Sequence, residues 1–386
     1  MKKLFSTHAM LMLALGVFLA FAANTGLLPP DVLGSIGMAF MAGNMATYSS
    51  PAQRIGRIKG ATLKHALHVS TVEISGETHR EPVKAGDTVV FRQVVPYGAT
   101  AAAPDVMTVT AAANMIQEGV TPPVESLVIL DTEVTVNKYG ALYGYSERQE
   151  ALGEDDLPAW MEEQLGERMG NVREKVYVGA LQAGTNRFYS GGTSRATVDE
   201  PVTLNLCNRV IRNLQNNHAK YVRAVTAATP NYGSQALNAT MLSFGHTNLR
   251  QDIEAIPGFK ARADYGSMKV AHELEMGCVG DHRFILSPDM PYVADAGAAI
   301  AGTTNYSTTG TNADVYQLFT IGKDAWGHCA FRGLDAFKMH HLKPNQVDKS
   351  DPTGERGYVS ATFYDCAVVT HNGWMAVSEV TISALT

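Results

Sequence analysis

The run from residue 155 to 183 limits this fold more than any other stretch. Leu157, Met161, Leu165, Met169, Val172 and Val176 recur at steps of four, four, four, three and four. That is helix period, so the six side chains share one apolar stripe. Glu162, Glu163, Glu167, Arg168, Arg173, Glu174 and Lys175 fall on the other faces and read as a solvated surface. Asp155 and Asp156 precede the stripe, where carboxylates favour a helix N-terminus. Pro158 fits the first turn, and Gly184 supplies the stop. At ~1.5 Å per residue the helix is about 40 Å long, more than the width of a small domain. Such an element acts as a spine that other parts must pack along.

The stretch before it has the opposite character. Gly86 to Tyr97 reads GDTVVFRQVVPY, a strand entered from a Gly-Asp turn. Ser126 to Tyr145 alternates through Leu127, Ile129, Val134, Val136, Tyr139 and Leu142, as one long strand or two in line. Between them lie small residues and the turn sequence EGVTPP at Glu118–Pro123. The result is a long hairpin at about 84–146 with almost no core of its own. A lone hairpin is marginal in water, so this one needs a partner surface.

The rest is mixed. A weak strand signal runs over Ala66–Gly76. Amphipathic helices are expected at about 203–217 and 247–256, the second closed by Pro257-Gly258. Short strands are expected near 267–273 and 282–286, and an exposed loop over 296–314. The C-terminal third reads as strands at 315–321, 325–331, 337–342, 357–367 and 374–382. Helices interleaved with antiparallel strands define an α+β class.

Charge and cysteine content narrow the function. The net charge of −6 argues against a protein that grips nucleic acid by its own charge. Cys207, Cys278, Cys329 and Cys366 have no C-x-x-C spacing, which leaves neither a zinc site nor a disulfide framework. Four reduced, buried thiols are expected. The N-terminus carries Lys2 and Lys3, an apolar run from Met10 to Phe21, and a small-x-small sequence at Ala20-Phe21-Ala22. This is the pattern of a secretory signal peptide; the alternative is a retained apolar arm packed within an assembly. The run is short for a bilayer span, and no membrane partner is expected.

No catalytic residue emerges. The sequence lacks GxSxG, HExxH, a P-loop, and a GxGxxG that opens a helix. His340 and His341 would point to opposite faces of a strand, so they cannot easily share a metal. Asp281-His282 reads as a polar turn. Asp348, Asp351 and Glu355 flank a Pro-Gly turn without the spacing of a calcium loop. No cofactor and no metal are expected, and the chain is not expected to be an enzyme.

Six segments, in order, resemble the major capsid proteins of tailed bacteriophages of the coliphage N-four-like (schitovirus) type. They are GDTVVFRQ at Gly86–Gln93, EGVTP at Glu118–Pro122, NKYGALYGYSERQE at Asn137–Glu150, FGHTNLRQDIEAIPGF at Phe244–Phe259, IGKDAWG at Ile321–Gly327 and DPTGERGYVSATFYDCAVV at Asp351–Val369. Two departures stand out: Thr247 where the family has Pro, and Glu355 where it has Gln. The likeness spans roughly residues 80–386; the apolar N-terminus lies outside it.

The resemblance implies the capsid-shell fold of tailed phages and herpesviruses. Its parts would be an N-terminal arm (1–80), an E-loop hairpin (81–150) and a P-domain with the spine helix (151–200). An A-domain with P-domain strands (201–335) and C-terminal P-domain strands (336–386) would follow. It implies a homo-oligomer of hexamers and pentamers forming an icosahedral head around double-stranded DNA, and the net charge suggests that this DNA is touched weakly and without sequence preference. Scaffolding, portal and decoration proteins are possible partners, and assembly would take place in the host cytoplasm. Val89, Phe91, Leu127, Ile129 and Val134 are then the expected inter-subunit contacts. Two other readings remain: an encapsulin-like nanocompartment, and an exported surface-layer or adhesion protein.

Overall fold

The computed structural model describes residues 70–384, apart from 82–85, 101–105, 117, 120, 123, 154–155, 227–233, 267, 301–305, 309, 332–336, 348 and 350. The N-terminal apolar run, with either of its readings, lies outside the described residues. A 3-10 turn at Val72–Ser75 comes first. Then follow β1 (Glu77–Glu81), β2 (Thr88–Val94), β3 (Ile129–Thr135), β4 (Asn137–Ser146), α1 (Glu147–Leu152), α2 (Leu157–Gln182) and β5 (Arg187–Tyr189). The middle holds α3 (Leu204–Asn216), β6 (Val222–Thr226), β7 (Ser234–His246), α4 (Arg250–Glu254), β8 (Lys260–Ala261), β9 (Glu275–Val279), β10 (His282–Ser287) and β11 (Tyr292–Val293). Last come β12 (Val315–Ile321), β13 (Trp326–Phe331), β14 (Phe337–Leu342), β15 (Arg356–Asp365), β16 (Ala367–Val369) and β17 (Met375–Val380). The class is α+β, and the strands expected at 315–321 and 337–342 have those bounds. The signals at 66–76 and 267–273 are not strands in the described residues: the chain turns 3-10 at Val72 and the strands start at Glu77 and Glu275.

The chain divides into two compact units, one of which includes residues 142–162 and 340–360, while the other holds most of the rest. The larger unit is built on a nine-stranded sheet. Its main path runs β5-β17-β12-β7-β10-β9-β8, with β11 beside β12 and β6 beside β7. β10, β12 and β17 are buried at every position, so the sheet is covered on both faces. Successive residues divide accordingly. Met241, Phe284, Leu318 and Ala376 pack with Val210 and Leu214 of α3 and Ile253 of α4. Leu242, Ile285, Phe319 and Val377 pack with Tyr177, Val178 and Leu181 of α2. The register sets Phe319 beside both Phe244 and Val377, which keeps each face uniform, as the two-residue period of a strand requires. The turn expected at Asp281-His282 is there at Asp281, which with Gly280 joins β9 to β10, but His282 is buried in β10, bonded to Ser243 Oγ at 2.9 Å and to the Cys207 carbonyl at 3.1 Å.

The spine helix lies within the span expected from its stripe, but its buried face rotates. Leu165 and Met169 are buried, while Leu157, Met161, Val172 and Val176 are half-buried. Burial resumes at Glu174, Tyr177, Val178 and Leu181. At ~100° per residue these lie roughly opposite Leu165. Glu174 is therefore not solvated, contrary to the expectation, and Arg173 is half-buried. Glu174 is 1% exposed, and Arg173 is ion-paired with Asp365 at 3.1 Å and with Glu73 at 3.1 Å. Asp156 caps the helix by accepting from Ala159 N at 3.4 Å. At the other end Gly184 lies against Met375, whose Cε would be 2.8 Å from a Cβ there.

Within the smaller unit the Asp-Pro-x-Gly turn is built by Asp351. Its carboxylate accepts from Arg356 N at 2.8 Å, and Asn345 N donates to the Gly354 carbonyl at 2.7 Å. Gly354 has φ +66°, which explains the glycine. Glu147 N donates to the Glu355 carbonyl at 2.8 Å, fastening α1 to that turn. Tyr145 is fully buried here. Its hydroxyl meets His341 Nε2 at 2.8 Å, and a Cβ at Gly357 would strike its ring at 2.4 Å. His341 Nδ1 is 3.3 Å from Glu162, so this imidazole is committed to a structural network.

Candidate assembly interface

The hairpin is rooted in the chain's own core. β2 and β3 pair antiparallel, with Val89 opposite Val134 and Val94 opposite Ile129. Alternation sends Val89 and Phe91 inward, each 8% exposed, onto Cys329, Cys366 and Val368. Phe91 also meets His79 edge-on at 4.7 Å, and a Cβ at Gly327 would lie 3.0 Å from its ring. Val134 is half-buried in the same cluster. The expectation that Val89, Phe91 and Val134 face a neighbouring subunit is thus corrected: their own chain covers the first two and much of the third. A strand buries one face only when something lies beneath it, and β13 and β16 fill that role here. Outside the ladder, Arg92 grips Asp131 across the strands at 2.8 and 2.9 Å. That bond from Arg92 holds the Asp131 carboxyl below its usual range.

Beyond the ladder the hairpin has no cover. Every described residue from Met107 to Asp131 is exposed. The stretch carries Met107, Val109, Met115, Ile116, Val124 at 98% exposure, Leu127 at 70%, and Val128, Ile129 and Leu130. Local bonds give it shape: Val95 N donates to the Val128 carbonyl at 2.9 Å and Thr108 N to the Tyr97 carbonyl at 3.0 Å. They do not bury it. Contiguous apolar surface on this scale marks an interaction site. Leu127 and Ile129 belong to this exposed group.

Below the root, two neighbouring residues of α2 grip the segment that leads in from the N-terminus. Glu174 accepts from Thr71 N at 3.1 Å, Thr71 Oγ1 at 2.5 Å, Val72 N at 3.0 Å and Ser70 Oγ at 3.0 Å. Arg173 reaches Glu73 and Asp365, and also donates to the Tyr177 hydroxyl at 2.6 Å. The sequence held a signal for this. Val176, Tyr177, Val178, Ala180 and Leu181 make the last turns apolar all round, and charges in such a helix end must be paired.

The same junction buries His328. Its ring packs 5.0 Å from Tyr177 and 5.5 Å from Trp326, with Nε2 3.1 Å from Thr78 Oγ1. Burial, with Arg173 and His79 nearby, pushes its pKa down to about 4. The unfolded chain therefore takes up this proton between pH 6.5 and 4 while the native state does not. Stability contributed by the neutral ring is complete above pH 6.5 and is lost as pH falls through that window. The loss expected is up to about 3 kcal/mol. Asp365, whose carboxyl is raised by burial against the opposing pull of Arg173 and Tyr177, works in the other direction at low pH. The His328 share is therefore the difference between wild type and His328→Gln in denaturation midpoints from pH 7 to 4.5. The variant should show the shallower decline.

Nothing in the described residues gathers chemistry. No group of three His, Cys, Asp or Glu side chains could hold a metal among them, and all four cysteines are buried thiols outside any disulfide. Burial pushes the thiols of Cys207 and Cys366 up to about 12, which leaves them protonated and inert. No described helix is long and apolar enough to cross a membrane.

No family model matches the chain. It is 24% identical over 271 residues to the major capsid protein of Pseudomonas phage KPP21, an alignment covering 64% of this chain and 66% of that protein. The chain thus spans just under two thirds of that relative's length. Among solved structures, the capsid of Ralstonia phage GP4 superposes with a TM-score of 0.60 at 12% identity, over 89% of this chain and all of that one. The head of Helicobacter pylori bacteriophage KHP40 gives 0.56 at 11% identity, over 88% and 99%. The capsid of cyanophage Pam1 gives 0.54 at 14% identity, over 88% and 100%. The fold is that of phage capsid-shell subunits.

Proposed function

We propose that this chain is the structural, non-catalytic major capsid protein of a tailed bacteriophage of the N-four-like type. The observation that carries the reading is the uncovered hairpin: a capsid-shell fold that leaves every described residue from Met107 to Asp131 exposed, apolar ones included. Copies associate head to tail into hexamers and pentamers through heterologous contacts that close. The E-loop hairpin lies on a neighbour through Leu127 and Ile129, while the P-domain spine α2 holds each subunit rigid. Interfaces of ~2,000–5,000 Å² fit such an obligate assembly. Each contact can be modest, because later contacts in a closing shell act intramolecularly. The head encloses double-stranded DNA, which the acidic subunit touches weakly, and it is assembled in the host cytoplasm with scaffolding, portal and decoration proteins.

The test is electron microscopy and sedimentation of the expressed protein, alone and with its scaffolding partner. Closed icosahedral shells are expected. Only monomers or open filaments under both conditions would overturn the reading, and shells that package an enzyme instead of DNA would make it a nanocompartment.

A further inference from the structure

Asp and Glu are absent from Pro201 to Arg250, although the chain has 37 of them. The same run carries Arg209, Arg212, Lys220, Arg223 and Arg250. In a chain of net charge −6 this is a local reversal of sign. The structure gathers part of it on α3. Leu206, Cys207, Val210 and Leu214 of that helix belong to the core. Asn205, Asn208, Arg209, Arg212, Gln215 and Asn216 are exposed. At ~100° per residue these six fall in an arc of about 120° centred near Arg212. The exposed positions of α3 are therefore all guanidinium or carboxamide, with neither a carboxylate nor an apolar side chain among them.

The carboxylates of the elements around α3 are engaged elsewhere or lie off this face. Glu379 of β17 is fully buried and held by Arg187 and Arg195, at 2.6 Å from each. Asp324 pairs with Lys220 at 3.6 Å, and Asp281 accepts from the Tyr221 hydroxyl at 3.0 Å. In α4, Asp252 accepts from Ser383 N at 3.0 Å, and Glu254 pairs with Arg250 at 2.9 Å. Asp199 and Glu200 are exposed, but they precede the N-cap Thr203. Arg212 lies about 12 Å along the axis from the first helical residue. Arg209 sits over the Phe188 ring at 5.2 Å, a contact that leaves its charge unneutralised.

We infer that this face of α3 binds the phosphate backbone of the packaged double-stranded DNA, without regard to base sequence. Guanidinium and carboxamide groups both donate to phosphate oxygens. A protein partner would need apolar side chains at the centre of the contact, and α3 exposes none. Interfaces with nucleic acid are instead polar and cationic. Two arginines per subunit make a weak, salt-sensitive contact, which a shell repeats over many copies. The inference rests on the shell reading above and assigns the face that meets the contents of the shell.

The test is fluorescence anisotropy of a labelled random-sequence DNA duplex with the full chain before assembly, over a series of salt concentrations. Wild type should bind at low salt and release the duplex as salt rises. Arg209→Gln with Arg212→Gln should weaken binding about tenfold and make the slope of log K against log salt shallower by about 2. Gln is a good helix former, so circular dichroism should be unchanged. Arg209→Lys with Arg212→Lys keeps both charges and should keep the slope. A measurement on wild type alone covers variants that fold poorly: the duplex should protect Arg209 and Arg212 from phenylglyoxal, read by mass spectrometry. Equal slopes for wild type and the Gln pair, or no protection of either arginine, would overturn the inference. So would loss of shells by the Gln pair with duplex binding intact, which would make the face a contact between copies. A wild type that binds the duplex through these arginines yet never forms shells would instead count against the shell reading and leave the DNA-binding face standing.

Discussion

Glu174→Ala should be among the most damaging single substitutions in this chain. The carboxylate is 1% exposed and accepts from two backbone N–H groups and two hydroxyls. Truncation leaves Thr71 N and Val72 N buried without an acceptor. The hydroxyls of Ser70 and Thr71 can turn to other partners, but the amides cannot. At ~1–3 kcal/mol for each orphaned donor, the loss should come to about 3 kcal/mol or more. Removing a buried carboxylate also removes its desolvation cost, which limits the total. Glu174→Gln keeps one acceptor oxygen and should lose about half as much. Chemical denaturation of the two variants checks the order. Equal stability of Glu174→Ala and wild type would mean that residues 70–72 are held by something else. The consequence reaches assembly, because this joint fastens the first segment of the described chain to the spine.

Replacing the hairpin tip should have the opposite pattern: little effect on folding and a complete loss of shells. The root must stay, because Phe91 and Val89 belong to the core with Cys329, Cys366 and Val368. A cut over residues 90–130 would take Phe91 with it and confuse unfolding with lost assembly. Removing Pro96 to Leu127 and joining Val95 to Val128 through Asn-Gly keeps the whole ladder from Thr88 to Val94 and closes it with a favoured two-residue turn. The described residues among those removed bury almost nothing, so stability should change by no more than about 1 kcal/mol. Sedimentation should show only free subunits or small oligomers where the full chain makes particles. Shells of normal yield from the trimmed chain would show that the apolar tip is not the contact that closes them.

The α+β class, the extent of the spine helix and most strands of the last third were readable from periodicity. The helix span 157–182 and the strands at 315–321 and 337–342 are set by local repeats of 3.6 and 2, and such repeats need no knowledge of neighbours. The hairpin was readable for a different reason: two strand-like runs flank the small residues and the turn sequence at Glu118–Pro123.

What lies beneath each element was not readable. Glu174 and Arg173 follow the pattern of a solvated helix face. Only the arrival of residues 70–73 from about a hundred positions away turns them into a clamp. His282 sits in a Gly-Asp-His sequence that reads as a turn, yet β7 and the Cys207 carbonyl enclose it. Val89 and Phe91 alternate like Ile129, and their strand could not say which of them its own chain would cover. Local periodicity dictates the long helix, the strand set and a hairpin without a core. That the hairpin's root is core and its tip is not follows from long-range packing, because burial of Val89 and Phe91 depends on β13 and β16, which reach them from more than two hundred residues downstream.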